Sequence, residues 1–392
     1  MKKFASVVLF CSLCFAASGQ KFDYNVGLEY AFADYEYHAS HSYYDYSHTT
    51  HGVRLTPEGG LLLAQTPSIY HRFMVGLDLF RQMGEGVENL GLIRELLFYY
   101  RLDARFDNDG RLETFAGAFP RRYGHRADYL GPVFDSDYLF LDPNIEGVMI
   151  KYTQERRLFA ELIMDWDGMF GDLLNPSRRE TFRILSTGAW RFAGDFRFGW
   201  TASFHHYSSS PERENVVDEH LVNPRLEWEP FTWMDDCRVE LGGILAYQCN
   251  RFVILKPRFP MGVYSRQLVG KWGLTLDNRF YCGDDIAPFY DFEFMGDAYG
   301  RNLYASEPGF RFFGGGPGWS DWVTLRYAPR LTSWLSLEVA LMLQFGTPAP
   351  GSDSVFRGFR PVARLNVDLG SLRPSPRKAA RKDKEYHFNL SL

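Results

Sequence analysis

The feature that most constrains this chain is an alternation of apolar and polar side chains with a period of two residues. From Leu335 to Phe345 the odd positions are apolar, whereas Glu338 and Gln344 lie at even positions. The same alternation occurs in 158–167, 196–205 and 360–369. Because successive side chains of a β-strand point to opposite faces, each segment predicts a strand with one apolar and one polar face.

The lengths of these segments and of their connections indicate a membrane barrel. A soluble β-sandwich also alternates, but its strands average about five or six residues, whereas a tilted membrane-spanning strand needs about nine to eleven. Short turn sequences at 107–110, 154–157, 193–195 and 270–273 alternate with long connections at 39–50, 123–145, 170–179, 207–218, 250–260 and 284–317. The sequence therefore predicts an all-β fold, a transmembrane antiparallel β-barrel with short periplasmic turns and long external loops.

The number of strands has two interpretations. Sixteen segments alternate between Phe22 and Leu369, and 385–392 alternates as well. Since single-chain bacterial barrels have an even number of strands, we favour sixteen. An eighteen-strand barrel would need one more strand within 284–317 and a closing strand at 385–392. The predicted division is a signal peptide at 1–19, a barrel at 20–370, and a basic linker with a terminal strand-like segment at 371–392, either a periplasmic extension or the closing strand.

The N-terminus and the composition indicate the cellular compartment of the protein. Lys2 and Lys3 precede an apolar stretch that ends in small residues, the pattern of a secretory signal peptide. Aromatic residues make up 17% of the chain while mean hydropathy is -0.28, which suits strands that face lipid on one side and water on the other. The net charge of -5 argues against a nucleic-acid partner. We expect an integral protein of the outer membrane that meets lipid, lipopolysaccharide and the barrel-insertion machinery. Its oligomeric state stays open.

Three short runs carry a resemblance to a known group of proteins. They are Gly-Ala-Phe-Pro-Arg-Arg at 117–122, Phe-Asp-Ser-Asp at 134–137 and Asp-Pro-Asn-Ile-Glu-Gly at 142–147. Together with the signal peptide and the paired strands, they resemble uncharacterised porin-like outer-membrane barrels of the Bacteroidetes type. The resemblance implies a membrane fold and a pore, and it implies no particular solute.

A pore constriction is the first candidate site. The connection 123–145 is predicted to fold into the lumen, as an early long loop does in porins, with acidic groups facing a basic wall. The constriction candidates are Arg121, Arg122, Arg126, Asp128, Asp135, Asp137 and Asp142 in and beside the loop, and Arg101, Arg183, Glu161 and Asp165 on the wall. A transverse field between such charges orients polar solutes. The alternative is that these charges only cancel one another and hydrate the interior.

A metal site is the second candidate. His38, His41, His48 and His51 lie within fourteen residues of one another, and imidazole nitrogens bind zinc, copper or haem iron. A hydrated surface loop has the same composition, so we expect no cofactor.

Three functions remain on the sequence alone. The first is passive diffusion of small polar solutes through a porin-like channel. The second is a barrel plugged by its loops that binds ligands, adheres or acts as a scaffold. The third is an outer-membrane lipid hydrolase using Ser203 and His205, which share a predicted face. Because the chain contains none of the common catalytic motifs, we expect that it is not an enzyme.

Overall fold

The computed structural model describes residues 20–38, 47–84, 92–124, 129–134, 136–154, 157–168, 180–208, 216–230, 233–251, 257–286, 307–310, 312, 316–329 and 331–372. The strands are β1 Gln20–Tyr37, β2 His48–Thr66, β3 Ile69–Gln82, β4 Ile93–Arg105, β5 Gly110–Pro120, β6 Asn144–Gln154, β7 Leu158–Gly168, β8 Thr181–Ala193, β9 Phe196–Ser208, β10 Val216–Trp228, β11 Asp236–Asn250, β12 Met261–Lys271, β13 Leu274–Gly283, β14 Gly318–Tyr327, β15 Leu335–Gly346 and β16 Phe356–Asp368. Each pairs antiparallel with its sequence neighbours, and β16 pairs with β1. The chain is a closed barrel of sixteen strands.

The closure settles the number of strands. In the pairing of β1 with β16, Gly27 lies opposite Asp368 and Tyr37 lies opposite Gly358. Since both edges of the sheet are satisfied by this pairing, no strand from 385–392 is needed to close it. The sixteen-strand prediction is confirmed and the eighteen-strand alternative is wrong. The predicted signal peptide 1–19 and the tail 373–392 lie outside the described residues.

The two ends of the barrel differ in their connections. At one end, here called the turn end, the strands are joined by short links such as 67–68, 194–195 and 272–273. Trp272 and Gly273 both have positive φ, 56° and 80°, which matches the hairpin turn that follows the right-handed twist of its strands. The long connections, including 121–143 and 284–317, join strands at the opposite end, here called the loop end. This is the turn-and-loop asymmetry of outer-membrane barrels.

The alternation in the sequence separates the lumen from the outer surface. On β15, Val339 is 49% exposed on the outside, whereas Glu338 and Gln344 are buried inside the barrel. Trp190 and Trp228 are exposed on the outside near the turn end, where an aromatic girdle is expected. The strand faces predicted from period two are therefore confirmed. Within the described residues, no helix is long and apolar enough to cross a membrane.

Candidate pore site in the barrel lumen

The described part of the connection 121–143 between β5 and β6, residues 121–124, 129–134 and 136–143, lies inside the barrel. It begins with a 3-10 turn, Arg121–Tyr123, and contains the short helix α1, Ser136–Leu141. Six of its large apolar side chains are buried: Tyr129, Leu130, Val133, Phe134, Leu139 and Phe140. A loop that projected into solvent would expose such side chains, so their burial follows from their position against the lumen wall. We call 121–143 the lumen loop.

Tyr129 fixes the lumen loop to β9 and β10. Its hydroxyl donates a hydrogen bond to Glu227 at 2.6 Å, and its carbonyl accepts one from the Thr201 hydroxyl at 3.0 Å. The guanidinium of Arg225 lies 3.6 Å from the centre of the Tyr129 ring. Thr201 and Glu227 are fully buried, so water does not compete for these contacts. The contact combines cation–π attraction with two hydrogen bonds in a dry environment.

Arginines on three other strands hold the rest of the loop. Arg360 on β16 donates a hydrogen bond to the hydroxyl of Ser136. Arg54 on β2 donates to the carbonyl of Phe140 at 2.7 Å. The guanidinium of Arg183 on β8 lies 4.5 Å from the ring centre of Phe134. The lumen loop is therefore attached to walls on different sides of the barrel.

The start of the loop is tied down by ion pairs. Arg121 donates to Asp165 on β7 at 2.6 Å, and the pair is buried. Arg122 pairs with Glu58 on β2. The hydroxyl of Tyr123 donates to the same carboxylate at 3.0 Å. Burial raises the pKa of Tyr123 above its ordinary value, and the charge of Glu58 raises it further, so the phenol stays a neutral donor.

A second charge network lies below the loop, toward the turn end. Asp103 accepts from Arg111 at 2.9 Å, and Glu113 accepts from Arg101 at 2.8 Å and pairs with Lys151 at 3.0 Å. Lys151 also donates to the carbonyl of Tyr123 at 2.6 Å, which joins the network to the loop. Each carboxylate thus has several cationic partners, the arrangement that buried charges require.

A third series of ion pairs runs along β11 to β13. Arg238 pairs with Glu240 at 2.7 Å, and Asp277 takes hydrogen bonds from both Arg266 and Arg279. Arg279 continues the series to Glu307, in the connection between β13 and β14, at 2.8 Å. The amide of Glu307 in turn donates to the carbonyl of Gly131 in the lumen loop at 2.9 Å. The two long connections therefore meet inside the lumen.

The structure describes only part of the predicted constriction residues. Arg101, Arg121, Arg122, Arg183, Glu161 and Asp165 are described and line the lumen, with Asp142 partly buried at the end of the loop. Arg126, Asp128 and Asp135 lie outside the described residues, and only the backbone of Asp137 is described. Arginines of β2, β8, β10 and β16 contact a carbonyl, two rings and a hydroxyl in the described part of the loop. That the loop narrows a pore remains a prediction.

The most central loop contacts were not predicted. Arg225 and Glu227 follow the alternation of β10, so their inward direction was readable from the sequence. Nothing in the sequence indicates that Tyr129 is their partner, since it lies 98 residues from Glu227. Such a contact depends on how the loop folds back across the lumen.

The histidine cluster is separated by the strand geometry. His48 and His51 both lie in β2, three residues apart, and therefore point to opposite faces. His48 packs on Tyr35, whereas a ring nitrogen of His51 lies 3.0 Å from the hydroxyl of Tyr30. His38 is exposed and His41 lies outside the described residues. Among the described residues, no three His, Cys, Asp or Glu side chains are grouped to hold a metal ion.

The serine and histidine considered for lipid hydrolysis face the lumen. Ser203 and His205 are buried on the inner side of β9, and Ser203 accepts a hydrogen bond from Arg183 at 3.3 Å. A membrane lipid meets the outer side of the same strand. The pair is therefore on the wrong face for that substrate.

Two cavities border the lumen loop. One lies against β14, β15, β16 and β1, and includes Arg360 and Gln344. The other lies against β8 to β10 and includes Arg183, Ser203 and Glu219. Each has a volume of about 10 Å³, which is room for about one water molecule.

Comparisons with known proteins give similarity to outer-membrane structures at low identity. OmpT, an outer membrane protein of Vibrio cholerae, is 9% identical with a TM-score of 0.49, covering 90% of this chain and 98% of that one. OccAB3 of Acinetobacter baumannii is 10% identical with a TM-score of 0.41, covering 89% and 99%. OccK11 (OpdR) of Pseudomonas aeruginosa is 12% identical with a TM-score of 0.43, covering 88% and 95%.

No family model matches the sequence, and no curated protein matches it. The resemblance to Bacteroidetes barrels therefore stays a prediction. The chain has the fold of an outer-membrane β-barrel, closed by sixteen antiparallel strands.

Proposed function

We propose that this protein is a porin-like channel that lets small polar solutes diffuse passively across the outer membrane, with a lumen narrowed by the loop 121–143. The observation that carries the proposal is the attachment of this loop across a charged lumen, through Tyr129 to β10 and through Ser136 to β16. A charged wall suits polar solutes, and a loop held between walls limits their size.

The test is single-channel conductance of the refolded barrel in a planar bilayer. Tyr129→Ala removes the hydrogen bond to Glu227 and the ring under Arg225, so the released loop should give larger and noisier conductance steps than the wild type. Tyr327→Ala is the control, because Tyr327 is exposed on the outer face near the turn end. Equal conductance in wild type and Tyr129→Ala would contradict a constricting role for the loop.

A second candidate is a plugged barrel that binds ligands or acts as a scaffold. It is favoured by the burial of side chains that face the lumen and that water would reach in an open channel. Thr201 and Glu227 are fully buried and Arg225 nearly so, although all three face the lumen. A wild-type barrel that folds but never conducts, and that conducts once 125–137 is deleted, would favour this candidate over the channel.

The outer-membrane location and the processing of the N-terminus belong to the same proposal. We infer an integral protein that contacts outer-membrane lipid and lipopolysaccharide, is inserted by the barrel-insertion machinery, and has lost residues 1–19. N-terminal sequencing of protein purified from outer membranes should begin at or within two residues of Gln20. Retention of Met1 would contradict the signal peptide.

A further inference from the structure

The outer face of β12 to β14 carries polar groups where lipid hydrocarbon is expected. Ser265 and Gln267 lie on β12, Asn278 lies on β13 and Asp321 lies on β14. By the alternation of their strands, all four belong to outward rows, not to the rows that face the lumen. The apolar side chains of the same rows are exposed on the outside: Val263 58%, Leu276 48% and Leu325 52%. We call the four polar residues the outer polar patch.

The outer polar patch lies near the middle of its strands. Asn278 is the fifth of the ten residues of β13, and Gln267 is the seventh of the eleven residues of β12. The outward row of the next strand, β15, is apolar at the same depth, with Leu337, Val339 and Leu341. Because hydrocarbon offers a side chain no hydrogen bond, amides and a carboxylate at this depth are unfavourable against lipid.

Neighbouring members of the patch are connected by pairing and by hydrogen bonds. Gln267 lies directly opposite Asn278 in the pairing of β12 with β13. The amide of Gln267 donates to the hydroxyl of Ser265 at 3.2 Å, and the amide of Asn278 donates to the carboxylate of Asp321 at 2.6 Å. An amide has two donor hydrogens and one acceptor oxygen, and a carboxylate accepts at two oxygens, so these bonds use only part of the available capacity. The patch can therefore bind a further polar partner.

The composition of the patch suits a second copy of this chain. Each amide both donates and accepts, and Asp321 accepts, so the patch is complementary to itself. Two barrels inserted in one membrane with the same orientation are related by an axis along the membrane normal, so the polar patch of one copy meets that of the other at the same depth. A single patch on three neighbouring strands fits a two-fold contact, which uses the same surface of both protomers, whereas a ring of three needs two different surfaces on each.

We propose that the outer polar patch is the centre of a homodimer interface within the bilayer. This inference rests on the proposed membrane location and not on conductance. The amides of Gln267 and Asn278 in one protomer bind the same patch of the other, and the exposed Val263, Leu276 and Leu325 pack around them. Dimerisation removes the polar groups from hydrocarbon, which favours the dimer in lipid.

The test is sedimentation equilibrium of the refolded barrel in density-matched detergent micelles. The wild type should be a dimer that dissociates on dilution. The triple variant Gln267→Leu, Asn278→Leu and Asp321→Leu should raise the dissociation constant about tenfold or more and still fold, because leucine suits a lipid-facing position. Gln267→Leu alone should also weaken the dimer, and it leaves the bond between Asn278 and Asp321 intact. Thr114→Leu is the matched control, since it replaces an outward polar residue on β5, eight strands from β13 and so on the opposite side of the barrel.

A heat-modifiable band on a gel confirms that each variant is folded, and Gln267→Leu keeps the test valid if the triple variant does not fold. A wild type that is monomeric at every concentration, or a folded Gln267→Leu that dimerises as strongly as the wild type, would overturn the interface. A monomer that conducts refutes the interface and leaves the channel standing. A dimer that never conducts refutes the channel and keeps the interface.

Photo-crosslinking identifies the partner in the native membrane. With benzoylphenylalanine in place of Leu276, illuminated outer membranes of the source bacterium should give a product of twice the mass of the chain, because Leu276 is exposed beside Asn278 on β13. The same probe in place of Ile150, exposed on the outside of β6, should give no such product. A Leu276 product of a different mass would mean a different protein partner and would overturn the homodimer.

Discussion

At the scale of single residues, the lumen is organised by arginines whose charges are balanced or whose planes lie on aromatic rings. Arg121 and Asp165 show the first arrangement, a pair at 2.6 Å with both side chains buried. Arg225 on Tyr129 and Arg183 on Phe134 show the second. Both keep a guanidinium inside a barrel without leaving it uncompensated, which would cost several kcal/mol.

Removing only one partner of the pair of Arg121 and Asp165 should lower the free energy of unfolding more than replacing both partners with apolar residues does. We expect Arg121→Met to lower the free energy of unfolding by about 3 to 5 kcal/mol, because it leaves the Asp165 carboxylate buried without its cation. The double variant Arg121→Met with Asp165→Leu should recover most of this loss. Urea unfolding in lipid vesicles, followed by tryptophan fluorescence, measures both. A double variant as unstable as the single one would contradict this account of the pair.

Tyr123 should make stability depend on alkaline pH. Its pKa is raised from 10.0 by burial and by Glu58, so the protonated phenol stabilises the fold fully below about pH 10, and this contribution is lost as the pH rises above it. The free energy by which the wild type exceeds Tyr123→Phe should therefore be constant up to about pH 10 and fall beyond it. Unfolding experiments on both proteins between about pH 8 and pH 11 measure this difference. A difference that rises with pH would refute the assignment.

At the scale of elements, Gly117 of β5 allows β5 to pack closely against β4, three residues before the lumen loop begins. Gly117 has φ of 123°, and a Cβ atom there would lie 2.3 Å from the carbonyl oxygen of Phe98 on β4. In physical terms, that position requires a residue without a side chain.

Gly117→Ala should therefore destabilise the barrel by about 3 kcal/mol or more, from backbone strain and steric overlap together. Gly84→Ala separates the two effects, since Gly84 has φ of 86° but no described atom lies within 4 Å of the point that a Cβ would occupy. It should cost only the strain, about 1 to 2 kcal/mol. Urea unfolding measures both variants, and equal losses would show that the contact with Phe98 is unimportant.

At the scale of the whole molecule, closure by β1 and β16 predicts that the barrel folds without the tail 373–392. We expect a chain ending at Leu372 to refold in vitro to a heat-modifiable barrel with the unfolding midpoint of the full chain, because all sixteen strands and both ends of the closing pair are retained. As a control, a chain ending at Gly346 lacks β16 and should not fold. A chain ending at Leu372 that fails to fold would mean that the tail contributes to the barrel.

The sequence by itself determined the architecture. A period of two is a local property, so the side of the barrel on which Glu338, Asp165 or Arg225 lies follows from the position of each residue in its own strand. The same pattern gave the strand segments but left sixteen and eighteen strands open, until the pairing of β1 with β16 settled the number. Residues an odd number of positions apart in a strand point to opposite faces. His48 and His51 are close in the sequence, but they are three positions apart in β2 and therefore point to opposite faces.

Only the tertiary structure decided which lumen residues meet. Ser136 contacts Arg360, 224 residues away, because a long connection folds inward and because β16 closes on β1. The inward fold depends on packing of the loop against several strands, and the closure depends on pairing of strands from the two ends of the chain. No local period encodes either of them. The small cavity with Gln344 and Arg360 follows from the same inward fold, so it exists only once loop and wall are placed together.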